Sequence, residues 1–255
     1  MNYNPPRGMN DMRRVFACSD LHGMYNLYEQ INEFLQPDDI VYFLGDAGDR
    51  GPRGWATIKA IYENPQWIYL KGNHEDMLVK AMQEYLEYDM VGEAGYLCFQ
   101  NGGENTFHQW IAEGANPIWI SRLGRLSAYK EYINAQQNKI ALSHAGFTPY
   151  ENWGGNYDQF LPPSEHALIW DRKHLTRSWI EREDTQNVIV VHGHTPNQHL
   201  LKGTGIEWGP GAISYCNGHK IDIDNCSFKT GFATLLDLDT LEEHRFQIGG
   251  SVSPL

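Results

Sequence analysis

Ile40-Val41-Tyr42-Phe43-Leu44-Gly45-Asp46-Ala47-Gly48-Asp49-Arg50-Gly51 is the stretch that decides the fold class. An apolar run stops abruptly at a cluster of glycine, aspartate and arginine. A short apolar run bounded by turn residues reads as a strand buried on both faces. The pattern 55–63 just beyond it reads as a helix. The same unit stands on either side. Val15–Cys18 is a predicted strand closing on Ser19-Asp20-Leu21-His22-Gly23, followed by a helix over 24–35. Residues 67–70 predict a strand that runs into Gly72-Asn73-His74-Glu75, followed by a helix over 75–87. Strand–helix alternation of this kind predicts an α/β layered fold.

Further along, residues 92–131 mix glycine, aromatics and helical periods, and predict a largely helical insert. Its Trp and Tyr residues read as packing groups. Residues 139–142 and 188–191 predict two more buried strands. They end at Ser143-His144-Ala145-Gly146 and His192-Gly193-His194-Thr195-Pro196. The tail from 199 to 248 carries short β-like runs separated by Gly, Asn and Asp, and predicts a second, mostly antiparallel sheet. Residues 1–14, with Pro5, Pro6 and Gly8, read as a flexible N-terminal arm before a single domain over 15–255.

Bulk properties narrow the function classes. An apolar content of 41% across 255 residues suits a folded globular domain. No run approaches 18 consecutive apolar residues, so no membrane span is expected. No secretory signal is read at the head, and a cytoplasmic protein is expected. The net charge of −12 argues against binding nucleic acid through a broad basic face. It also means that any phosphate must be held by concentrated local positive charge, for which bound metal ions are the obvious source. Cys18, Cys98, Cys216 and Cys226 are scattered, with no C-x-x-C spacing, and read as reduced thiols. None begins a Cys-x5-Arg loop, which excludes a thiolate phosphatase of that kind.

All five polar clusters follow apolar runs, and in α/β sheets sites form beyond the carboxyl ends of strands. They are therefore expected to converge on one edge. Asp, His and Asn suit borderline divalent metals. Asp20 and His22 are two apart in an extended segment, so both side chains can point the same way. The carboxylate of Asp46 has two oxygens and can bridge two cations. Two metals about 3.5–4 Å apart clamp a phosphate and activate a shared water. Arg50 offers a planar fork for phosphate oxygens.

Asp-x-His-Gly, Gly-Asp-x-x-Asp-Arg-Gly, Gly-Asn-His-Glu, a lone histidine before a small-residue turn, and Gly-His-Thr-Pro together resemble the calcineurin-like metallophosphoesterases. Within them, Gly-Asp-x-x-Asp-Arg-Gly resembles the PPP branch, and the chain is similar to small bacterial and phage serine/threonine phosphatases. Asn101-Gly102-Gly103 and Leu168-Ile169-Trp170-Asp171-Arg172 add to that likeness. The resemblance implies a β-sandwich flanked by helices with the site at its edge. It implies a first metal on Asp20, His22 and Asp46, and a second on Asp46, Asn73, His144 and His194. It implies His74 as general acid oriented by Asp49, and Arg50, Asn73 and Arg172 in contact with phosphate. Two divalent transition-metal ions are expected, manganese as activator in vitro, with iron or zinc as cellular alternatives. Ser19 stands where the family usually has Gly. Pro196 replaces the second histidine of the Gly-His-x-His seen in the wider family, which leaves a position open on the first metal.

Each residue also has a structural reading. Asp20 can cap a helix, Asp46 and Asp49 can make a turn with their glycines, and Asn73 and His74 can be a turn and a surface residue. His192 reads as packing, since only His194 sits in Gly-His-Thr. The expected activity is metal-dependent hydrolysis of phosphoserine and phosphothreonine, and of small phosphate esters, by a metal-bridging hydroxide. The alternative is a symmetrical dinucleoside polyphosphate hydrolase, and the remote alternative an inactive metal-binding scaffold. Arg50, Arg53 and Arg172 are the basic groups on offer. The lack of a dense Lys/Arg cluster favours the phosphoprotein reading.

Overall fold

In the computed structural model the described residues are 13–148, 163–179, 182–249 and 253–254. The expected N-terminal arm lies outside them as far as residue 12. Two sheets pack face to face. The first has six strands in the order β11-β10-β9-β1-β2-β3. These are β1 (Val15–Cys18), β2 (Ile40–Phe43), β3 (Trp67–Tyr69), β9 (Phe232–Asp237), β10 (Glu243–Gln247) and β11 (Ser253–Pro254). The second runs β4-β5-β6-β8-β7, built from β4 (Tyr129–Ile133), β5 (Lys139–Ser143), β6 (Val188–His192), β7 (Ile213–Tyr215) and β8 (Lys220–Asp222). β1, β2 and β3 are mutually parallel, as are β5, β6 and β8.

Period-two alternation explains why these strands are apolar throughout. Val15, Ala17, Tyr42 and Leu44 face Ile140, Leu142, Ile189, Val191 and Ile221 across the sandwich. Phe16, Cys18, Val41 and Phe43 face the other way, onto helices. Val188 and Val190 do the same on the outer face of the second sheet, against Leu168 and Ile169. Those last two belong to α7 (Glu165–Trp170).

Helices cover the first sheet with one apolar stripe each. α1 (Tyr25–Phe34) buries Leu27, Tyr28 and Ile31. α2 (Gly54–Glu63) buries Trp55, Ile58 and Ile61 at three-residue steps, and α3 (Asn73–Tyr88) buries Met77, Leu78, Ala81 and Met82. These spacings put the side chains on one face of a 3.6-residue helix. The stretch expected to be helical holds α4 (Glu93–Gln100), α5 (Glu104–Ala112) and α6 (Ile118–Gly124). Phe107, Trp110 and Trp119 join the helical core, whereas Tyr96 is exposed. Helix stops at Gly124, and residues 129–131 open β4, which pairs antiparallel with β5.

The expectation for the tail fails. The tail forms no sheet of its own. β8 adds parallel to β6, with β7 at its edge, and β9, β10 and β11 extend the first sheet from β1. Strand spacing in a sequence signals strands but not which open edge they hydrogen-bond to. No helix among the described residues is long and apolar enough to cross a membrane.

Candidate metal centre

Each polar cluster begins where a parallel strand ends, so all five meet at one edge of the sandwich. Asp20 and His22 follow β1, Asp46 follows β2, Asn73 opens α3 after β3, His144 follows β5, and His194 follows β6. The turns are tight. Asp20, His22, Asp46, Asp49, Arg50 and His194 all have positive φ, between 44° and 69°. Non-glycine residues pay strain for this backbone region, and such strain concentrates at functional sites. Backbone bonds hold the turns against each other: Asp20 N–H donates to Gly45 C=O at 3.1 Å, and His22 N–H to Asp46 C=O at 3.0 Å.

Asp46 sits at the centre and is buried. Its Oδ2 faces His22 Nε2 at 3.6 Å and His74 Nε2 at 3.7 Å. Its Oδ1 faces His144 Nε2 at 3.4 Å and accepts the His74 N–H at 3.0 Å. The donor atoms of His22, Asp46 and His74 lie within 4.8 Å of one another, and so do those of Asp46, His144 and His194. Two clusters thus share one carboxylate, an oxygen for each. Asn73 Oδ1 joins the second, 2.9 Å from His144 Nε2 and 2.8 Å from His194 Nδ1. Asp20 lies against both: its Oδ1 is 3.8 Å from His22 Nε2, and its Oδ2 accepts the His194 N–H at 3.0 Å.

The donor set fits a cation pair. His22 Nδ1 donates to the Gly48 carbonyl at 3.0 Å and His144 Nδ1 to the Leu44 carbonyl at 2.9 Å. Those partners fix the tautomer, so in each neutral ring Nε2 presents a lone pair. The lone pair of His144 then faces the oxygens of Asn73 and Asp46, which repel it unless positive charge lies between them. Asp20 Oδ1 is buried with no hydrogen-bond partner, and a buried carboxylate oxygen of that kind calls for one.

Electrostatics agree. Burial opposes ionisation of Asp46, but His144 and His74 outweigh it and hold its carboxyl well below the usual range. Burial pulls His144 down, yet Asp46 and Asp20 raise it to about 9, so without a cation a proton on Nε2 stands in for one between these oxygens, and a bound metal would displace it. Burial, with His74 beside it, pushes His22 well below an ordinary histidine, and burial with His144 does the same to His194. Both therefore stay neutral, the state that ligates metal.

His74 and Asp49 form a separate pair. His74 Nδ1 lies 2.6 Å from Asp49 Oδ2, both buried. Burial lowers the pKa of His74, but the Asp46 carboxylate and the Asp49 hydrogen bond more than compensate and raise it. Arg50 spans the first cluster, one guanidinium nitrogen 2.8 Å from His22 Nε2 and the other 2.8 Å from His74 Nε2. The helical segment braces this loop: Asp49 N–H donates to Thr106 Oγ1 at 2.9 Å and Arg50 N–H to the Gly102 carbonyl at 2.9 Å. Arg172 stands at the rim of the site, where partial burial lowers its pKa although the charges of Asp46 and Asp20 oppose this.

These are the features of a phosphate-ester hydrolase built on two metals, and a family model for calcineurin-like phosphoesterases matches residues 13–224. The chain belongs to the calcineurin-like phosphoesterases. It is a metal-dependent hydrolase of that family, whose members use a dinuclear divalent metal site. Serine/threonine-protein phosphatase 2 of Escherichia coli (strain K12) is 25% identical over 171 residues, 65% of this chain and 71% of that protein. The symmetrical bis(5'-nucleosyl)-tetraphosphatase of Buchnera aphidicola subsp. Schizaphis graminum (strain Sg) is 28% identical over 139 residues. That match covers 53% of this chain and 45% of that enzyme. A cold-active protein-tyrosine phosphatase of the psychrophile Shewanella sp. superposes with a TM-score of 0.54 over 95% of this chain and 80% of its own, at 18% identity, a likeness of fold.

Three features of this phosphoesterase escaped the sequence. Ser19 Oγ donates to Asp20 Oδ2 and so orients it. Glu75 is buried and accepts N–H groups from Asp46 and Gly72 at 2.8 Å and Ala47 at 3.0 Å, and the Tyr69 hydroxyl at 2.7 Å. It ties the turn after β2 to the start of α3. The signal was present, because a glutamate three residues into a helix often reaches back to the helix's first N–H. Phe228 lies edge-on to His22 at 5.5 Å, and nothing in the sequence announced it. His192 is buried as a packing group, as expected, with its ring 4.8 Å from that of His174 and Nε2 2.7 Å from the Tyr215 hydroxyl.

Proposed function

We propose that this phosphoesterase hydrolyses phosphoserine and phosphothreonine in proteins, with activity on small phosphate monoesters. The observation that carries the reading is the buried His74–Asp49 pair, 2.6 Å apart, beside the carboxylate shared by both clusters. Asp20, His22 and Asp46 would hold one divalent metal, and Asp46, Asn73, His144 and His194 the other. We take manganese as the activator in vitro. Such a pair, when bound, supplies Lewis acidity and activates water at neutral pH.

The chain's own groups supply the rest. Arg50 and Arg172 offer guanidinium donors to the equatorial phosphate oxygens. Asp49 accepts the Nδ1 proton of His74, which fixes the ring and leaves the proton on Nε2 free to pass to the departing alkoxide. The raised basicity of His74 keeps that proton available near neutral pH. The first turn of α3 points its N-terminus at the same place, where a helix favours an anion.

A protein substrate is favoured because the E. coli relative matches over most of its own length. A second reading, a symmetrical dinucleoside polyphosphate hydrolase, is favoured by aromatic rings at the rim. Phe228 lies 5.5 Å from His22, and Trp170 lies 6.5 Å from His194. The test is kcat/KM for a phosphothreonine peptide and for diadenosine tetraphosphate under one manganese concentration. The peptide should be the better substrate. Fast symmetrical cleavage to ADP with no phosphate released from peptides would reverse the ranking.

A further inference from the structure

We infer that Phe228 is a positioning residue that holds the Arg50 guanidinium flat and charged at the phosphate site. This rests on Arg50 being a phosphate-holding group. The guanidinium carbon of Arg50 stands 4.9 Å from the centroid of the Phe228 ring, and the same ring packs edge-on against His22 with an interplanar angle of 81°. Arg50 also lies 2.8 Å from His22 Nε2 and His74 Nε2, but a metal on the first and the acid proton on the second would take those lone pairs, so Phe228 is the contact that persists in the working site. Among the described residues none of those partners is a carboxylate.

That choice of partner has a physical consequence. A long arginine side chain near solvent loses phosphate affinity to its own rotamer freedom unless something fixes it. An aspartate or glutamate would fix it but would also neutralise it and repel an incoming phosphate. An aromatic face attracts the cation through its quadrupole and leaves every N–H and the full charge available. The chain, at −12 net charge, has particular need of that economy.

The ring is itself firmly placed. Phe228 lies on α8 (Ser227–Thr230), just beyond β8 at the same sheet edge as His194. The turn into α8 is tied down by Asp224, whose carboxylate accepts the Cys226 N–H at 2.7 Å, and by Thr230, whose hydroxyl donates to the Asn225 carbonyl at 2.9 Å. Lys229, its ammonium 5.5 Å from the same ring centroid, adds positive charge at the rim.

The experiment compares Phe228→Leu, Phe228→Tyr, Arg50→Ala and the double variant Phe228→Leu/Arg50→Ala, all manganese-loaded. The readouts are metal content, kcat and KM on p-nitrophenyl phosphate, and inhibition and calorimetric binding of inorganic phosphate. Phe228→Leu should keep its metals and raise both KM and the phosphate inhibition constant by roughly 2- to 30-fold, the range of a cation–π contact, with a smaller change in kcat. Phe228→Tyr, which keeps the aromatic face, should restore both constants. In the Arg50→Ala background the leucine should add nothing further, as expected of two residues acting through one contact. Phe228→Met carries the same comparison should the leucine variant not fold. Unchanged phosphate affinity in Phe228→Leu, or the same loss persisting without Arg50, overturns the inference. So does loss of metal, which would make His22 the group held. If Arg50→Ala alone leaves phosphate affinity intact, it is the assignment of Arg50 that fails.

Discussion

Glu75→Gln changes one atom, and its cost can be worked from the contacts. In the wild type, Oε2 accepts the N–H groups of Asp46 and Gly72, and Oε1 accepts the Ala47 N–H and the Tyr69 hydroxyl. Glutamine must put an NH2 in place of one oxygen. The cheaper choice is Oε1, because Tyr69 can rotate its hydroxyl to accept. Ala47 N–H is then left facing a donor in a buried site, which costs about 1–3 kcal/mol. The remaining bonds lose the extra strength of an ionised acceptor, about half of each. Burial itself disfavours the charged carboxylate and raises its pKa, so removing the charge returns part of this. A net loss of about 2–4 kcal/mol follows, roughly 4–16 °C in Tm for a chain this size. Thermal unfolding of metal-free protein measures it without the stabilisation that bound metal adds. Metal content after reconstitution should also fall, because the strained turn that aims Asp46 has lost an anchor. A Tm within about 2 °C of wild type together with full metal content would show that Glu75 holds nothing in place.

Chelation should abolish activity and added Mn²⁺ restore it, while Asp46→Asn should lose metal from both clusters, as elemental analysis would record; full turnover by metal-free protein would end the two-metal reading. His74→Asn should keep both metals and lose about 10²–10⁴-fold in turnover, more on phosphoserine than on p-nitrophenyl phosphate, whose leaving group needs little protonation. Equal losses on both substrates, or loss of a metal, would count against an acid role for His74. Gly193→Ala places a methyl 2.1 Å from Asp20 Oδ2 and 2.2 Å from Ser19 Oγ, so it should weaken metal binding by the Asp20 cluster; a variant with normal metal affinity would show that this turn yields freely.

The sequence by itself determined the strands of the site, because apolar runs and the polar clusters that end them are local signals. Val15–Cys18 is a strand as expected, and the expected strands over 40–44, 67–70, 139–142 and 188–191 are present with ends moved by a residue. The motifs after those strands named the residues that meet at the edge, since side-chain chemistry is written in the chain. Only tertiary structure decided what depends on partners distant in sequence. The tail splits between two sheets because β1 and β6 each offer an open hydrogen-bonding edge, and no local pattern says which strand takes it. Glu75 matters through backbone groups 28 and 29 residues away. Phe228 is an ordinary aromatic until the fold sets its ring against an arginine nearly two hundred positions earlier in the chain. The left-handed turns at Asp20, His22 and Asp46 overturn the extended segment expected across Asp20 and His22: aspartate and histidine enter this region more readily than most residues, but the packing of one loop on the next is what selects it.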